Sequence, residues 1–128
     1  IARYPKAKLY LSLPDTRLYR LRTQGVQING GPARNASNIT PADLRTDLSG
    51  AEELMATAEN EAARLNAIKG EAGRLAVLAG AKAGRWTITS IDPDGIDLAS
   101  ANDLARLWFA ERVETLKQFE KALASPVR

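Results

Sequence analysis

Leu54, Ala58, Ala62, Leu65, Ile68, Ala72, Leu75 and Ala79 recur every three or four residues, and this spacing sets one apolar seam along a helical region. A seam of that length has to be buried, so the chain needs a second layer to pack against it. Gly70 and Gly73 interrupt the seam, and each weakens a helix interior by about 1 kcal/mol. The spacing therefore predicts two helices or one kinked helix. Ser49-Gly50-Ala51-Glu52 supplies the start, with Ser49 as the expected cap.

Two further starts have the same form. Thr40-Pro41-Ala42-Asp43 predicts a short helix ending near Leu48, and Thr115-Leu116-Lys117-Gln118 predicts a last helix that buries Leu116, Phe119 and Leu123 and stops at Ser125-Pro126. Between the long helical region and the last helix, "RWTITSI", "GIDLAS" and "LARLWF" read as three short strands. Pro93-Asp94-Gly95 and Ala101-Asn102-Asp103 are the turns that join them into an antiparallel meander. In the third strand Ala105, Leu107 and Phe109 share one face, and Arg106 and Trp108 take the other.

The first third is less regular. "IARYPKAKLYLS" predicts a helix or helix end interrupted at Pro5. "TRLYRLRT" and "VQINGGPARN" alternate with period two and suggest two paired antiparallel strands, the second broken by Gly30, Gly31 and Pro32. Residues 1–45 carry eight Lys/Arg against two Asp, and the remainder carries ten against thirteen acidic residues. A basic first third suits an anionic partner such as a phosphate or carboxylate, or presents a solvated charged face.

Composition narrows the chemistry. With no cysteine and no histidine, the chain has neither a thiolate nor an imidazole to offer as nucleophile, general base or metal ligand. The three aspartates around Gly95 invite a calcium reading, but counting from Asp92 the fifth position is Ile96 and the glycine falls two places early, so a hairpin tip with aspartates facing water is expected. No metal site is assigned. S-x-x-K, the P-loop and G-x-G-x-x-G are absent. Basic residues alternating with leucine give ordinary sheet amphipathicity, so nucleic acid is not the expected partner. No apolar run approaches the roughly 20 residues of a membrane helix, and a soluble, cytoplasmic protein is expected.

The ordered series "ARYPKAKLYLSLPDTRLYRL", "VQINGGPARNASNITPADLRTDLSGAEELM" and "IDPDGIDL…ARLWF" resembles the HugZ-like haem-utilisation proteins, a branch of the pyridoxamine 5'-phosphate oxidase-like, FMN-binding split-barrel family. The resemblance implies an α+β architecture, with the last strands of a split β-barrel in 1–48. A small α/β domain follows in 49–128, its helices packed on a three-stranded antiparallel meander. It also implies that Ile1 lies partway along a longer chain, and that the protein is a homodimer holding FMN, or haem, at its interface. Catalytic residues stay unassigned; an enzyme of this kind would be a flavin-dependent oxidoreductase or a haem-degrading oxygenase. The alternative is a non-catalytic interaction or regulatory module that has lost its cofactor.

Cofactor contacts are expected from Arg17, Arg20, Arg22, Asn29, Gly30, Gly31 and Arg34. Two departures stand out. Relatives commonly read G-G-F-G-R-A where this chain has Gly30-Gly31-Pro32-Ala33-Arg34-Asn35, and H-M-N-x-D-H where it has Arg64-Leu65-Asn66-Ala67-Ile68-Lys69. With both histidines replaced by cations, haem ligation from this stretch is not expected.

Overall fold

The computed structural model describes residue 4 and residues 6–29, 35–36 and 39–124. In chain order the elements are α1 (Ala7–Leu11), β1 (Ile28–Asn29), β2 (Asn35–Ala36), α2 (Glu52–Ala67), α3 (Glu71–Leu78), β3 (Thr87–Asp92), β4 (Gly95–Ala99), β5 (Leu104–Trp108) and α4 (Leu116–Ala124). The seam does split into two helices. Ile68 leaves α2 in an extended conformation and Gly70 turns the chain at φ 84°, a left-handed value that a Cβ would oppose, before α3 begins.

The three strands form an antiparallel sheet in the order β3-β4-β5, as the turn residues predict. Its inner face carries Ile88, Ile91, Ile96, Leu98 and Leu107, which pack against Leu54, Ala58 and Leu65 of α2 and Ala72, Leu75 and Ala76 of α3. Phe119 of α4 is fully buried and meets Phe109 edge-on, with ring centroids 6.0 Å apart. Each large side chain buried in this way stabilises the fold by roughly 1.5–3 kcal/mol. The buried members of this core among the described residues lie between positions 54 and 119.

Local bonds explain where the helices begin. The Thr115 N–H donates to Gln118 Oε1 at 3.1 Å, and the Gln118 N–H returns to Thr115 Oγ1 at 3.3 Å, the reciprocal cap that the sequence predicts. Glu53 Oε1 accepts the Leu116 N–H at 3.1 Å and so ties α2 to the start of α4. Ser49 does not cap α2. Its hydroxyl donates to the Asp47 carboxylate, and Ala51 becomes the cap residue with no side-chain bond.

Two other expectations also change. Asp43 reaches back to the Thr40 N–H as expected, but the Thr40 hydroxyl donates to the Asp43 carboxylate and caps no helix, and residues 41–45 form turns. The two turn bonds span three residues, Asp43 N–H to Thr40 and Arg45 N–H to Ala42, and Asp47 then takes the Ser49 N–H, so no longer helical ladder grows. Residues 16–27 contain no strand. Among the described residues the ladder nearby pairs Ile28 with Ala36 and Asn29 with Asn35, two residues on each side.

β3 has an irregular register between Ile88 and Ser90, and Asn66 supports it from α2. The Asn66 amide donates to the Ile88 carbonyl at 2.9 Å and accepts the Ile88 N–H at 2.8 Å. Gly95, opposite Trp108, lies so close to β5 that an added Cβ would meet the Leu107 carbonyl oxygen. Gly95→Ala should therefore destabilise the protein by about 1–3 kcal/mol, read as a lower urea midpoint; an unchanged midpoint would refute the close approach.

Candidate functional site

The outer face of the sheet is polar, and its chemistry is concentrated on one guanidinium. Arg106 Nη2 donates to Asp92 Oδ1 at 2.7 Å and Oδ2 at 2.9 Å, and Nη1 donates to Asp97 Oδ1 at 3.0 Å. Ser90 Oγ donates to Asp97 Oδ2 at 2.8 Å. Trp108, two residues along the same face of β5, lies under the guanidinium with 4.3 Å from Cζ to the ring centroid. Burial works against the Arg106 charge, and the hydrogen bonds to Asp92 and Asp97 outweigh it, so the guanidinium is held above its ordinary value.

The hairpin aspartates thus do not simply face water. Asp97 is buried at 7% exposure, and β4 is buried along its whole length. Asp92 Oδ1 accepts the N–H groups of Asp94 at 2.9 Å and Gly95 at 3.1 Å as well as Arg106, so one oxygen fixes both the turn and the ion pair. Asp94 sits beside Arg112 at 3.8 Å. Among the described residues no group of three or more His, Cys, Asp or Glu side chains could hold a metal ion.

Residues 43–46 stand across from this face and leave an open groove of about 580 Å³, floored by Asp92, Asp97, Arg106 and Trp108. Trp108 is 60% exposed. An exposed tryptophan stacked on an arginine is an arrangement enriched where proteins meet partners.

The arginines that the sequence marks lie elsewhere. Arg17, Arg20 and Arg22 are exposed along the irregular segment before β1 and have no ion-pair partner among the described residues. Asn29 sits in β1 opposite Asn35. Gly30, Gly31 and Arg34 fall outside the described residues. Among the described residues no hydrogen bond or ion pair joins Arg17, Arg20 or Arg22 to the Arg106 cluster. Arg106 was within reach of sequence reading, because counting back through the Ala101-Asn102-Asp103 turn puts it directly opposite Asp97.

Arg106→Ala removes the guanidinium that Asp92 and Asp97 share and should cost about 3 kcal/mol in urea unfolding; a loss below about 0.5 kcal/mol would show the cluster to be incidental. A second prediction concerns pH. The Asp43 carboxyl is held below its usual range, first by the Thr40 N–H and then by the Thr40 hydroxyl. A lowered folded value means that the turn keeps its full stabilisation above about pH 3.9 and loses it only as pH falls through that lower value. A carboxyl NMR titration should give Asp43 a midpoint below about 3.9, and Thr40→Val should move it part of the way back.

No family model and no curated protein matches this chain. The crystal structure of Atu2129, a protein of unknown function from Agrobacterium tumefaciens str. C58, is similar to it, with 84% sequence identity and a TM-score of 0.85. The similarity covers 96% of this chain and 50% of that one, so the chain spans about half the length of the Agrobacterium protein.

Proposed function

We propose that this chain is the C-terminal part of a pyridoxamine 5'-phosphate oxidase-like split-barrel protein of the HugZ-like type, in which residues 1–48 supply the last barrel strands and FMN binds between two subunits. The observation that carries this reading is the exposed, arginine-bearing segment before β1. Leu18 and Tyr19 are each 82% exposed and Leu21 is 93% exposed, so apolar groups stand open to solvent along a run whose sequence alternates like a strand. Such a segment calls for covering on two faces, and polypeptide from outside this chain is the natural cover. The twofold greater length of the similar Agrobacterium protein supports a longer polypeptide.

Arg17, Arg20 and Arg22 fit the phosphate of FMN in charge and in having no competing carboxylate among the described residues. Bound FMN would supply the electron chemistry of a flavin-dependent oxidoreductase, and these side chains would bind and orient its phosphate. Haem, with a haem-degrading oxygenase activity, is the second cofactor under this reading. The chain offers no histidine to it, and Met55 packs against the core. A non-catalytic interaction module in the cytoplasm is favoured by one observation, the mutual pairing of Asp92, Asp97 and Arg106, which binds those charges to one another.

An absorption spectrum of the longer polypeptide, purified without added cofactor, tests these alternatives. Flavin bands are expected; a Soret band would move the assignment to haem, and a featureless spectrum after incubation with each would leave only the module. Arg20→Ala and Arg22→Ala should each weaken FMN binding roughly 10-fold or more, the scale of one charge-assisted hydrogen bond.

A further inference from the structure

Residues 40–49 cross in front of the polar face of the sheet with little to hold them there. Leu44 is 58% exposed and Leu48 46% exposed, so burial contributes little. The bonds inside the segment, Thr40 with Asp43 and Asp47 with Ser49, stiffen it without attaching it to anything. Among the described residues, two hydrogen bonds alone join 40–49 to residues beyond 51, and both come from one side chain. Arg112 Nη1 donates to the Asp47 carbonyl at 2.8 Å, and Nη2 donates to the Ser49 carbonyl at 2.7 Å.

The Arg112 fork is itself aimed from the other end. Its Nε donates to Glu114 Oε1 at 3.1 Å, and Asp94 Oδ1 lies 3.8 Å from Nη1. Glu114 is anchored by its backbone, whose carbonyl accepts the Leu54 N–H and whose N–H donates to Gln118. The guanidinium therefore spans from the α2–α4 junction to two carbonyls two residues apart, a geometry for which a planar fork of donors is suited and a lysine ammonium is not.

We propose that residues 40–49 are a strap across the groove of the polar sheet face and that Arg112 is its latch. Closed, the strap forms the wall opposite Asp92, Asp97, Arg106 and Trp108. Released, it leaves that face open to solvent while the core behind the sheet stays folded. The latch does not depend on the cofactor reading above, since every group in it belongs to the described residues.

Trypsin cleavage after Arg45, followed by mass spectrometry on the whole chain, reads strap opening, and amide exchange at Ile88 and Leu98 reads the core. In Arg112→Ala the bond after Arg45 should be cut about tenfold faster or more, with core protection unchanged. A tenfold change corresponds to about 1.4 kcal/mol. Arg112→Lys keeps the charge and loses the fork, and it should behave like Arg112→Ala. A wild-type cleavage rate in Arg112→Ala overturns the latch. So does loss of core protection in step with cleavage, which would make Arg112 part of the module's folding. Wild-type behaviour of Arg112→Lys would overturn the two-carbonyl geometry.

Discussion

A strand enclosed on both faces has no water to answer its charges, and β4 is such a strand. Its single carboxylate, Asp97, has to be satisfied inside the sheet. Ser90 and Arg106 do this from the strands on either side, so β3 and β5 are joined through β4 by side chains as well as by backbone ladders. Arg106 in turn needs a second anion and a surface to lie on, and Asp92 and Trp108 supply them. Asp92 also caps the hairpin turn. The register of the meander, the shape of its turn and the stacking of Trp108 thus belong to one network, whose parts stand or fall together.

The sequence made the second part of the fold legible, because there the local signals agree. Periodicity located α2 and α3, the Gly70 break separated them, and three alternating runs with turn residues between them gave the sheet. Where local chemistry offered two outcomes, sequence reading chose wrongly. Ser49 can cap a helix or bond to Asp47, and the nearer carboxylate won. The burial of the hairpin aspartates is not legible in the sequence, because burial of an outer sheet face depends on what lies across it and period two carries no information on that. Residues 16–27 alternate in sequence like a strand yet pair with no strand among the described residues, since strand pairing is a property of two segments.

The chain accordingly has two characters. Beyond residue 50 a common core gathers side chains from the helices and the sheet, and Arg64, Arg74, Arg106 and Arg112 each pair with a carboxylate nearby. Before residue 28, leucines, tyrosines and arginines are displayed to solvent. The contrast locates any unmet demand for partners in the first part, where the basic charge also lies. The junction at 40–50 connects the part of the chain that holds the core to the part that is displayed to solvent.

Asn66 adds a constraint on the far side of the sheet. By taking both backbone groups of Ile88, its amide does what a neighbouring strand would do at that position. An incoming strand would have to displace a bidentate amide held on a helix before it could zip along β3. The irregular register beside Ile88 would spoil the alignment further. At that border the sheet is closed by a side chain, and assembly through β3 would have to start against it.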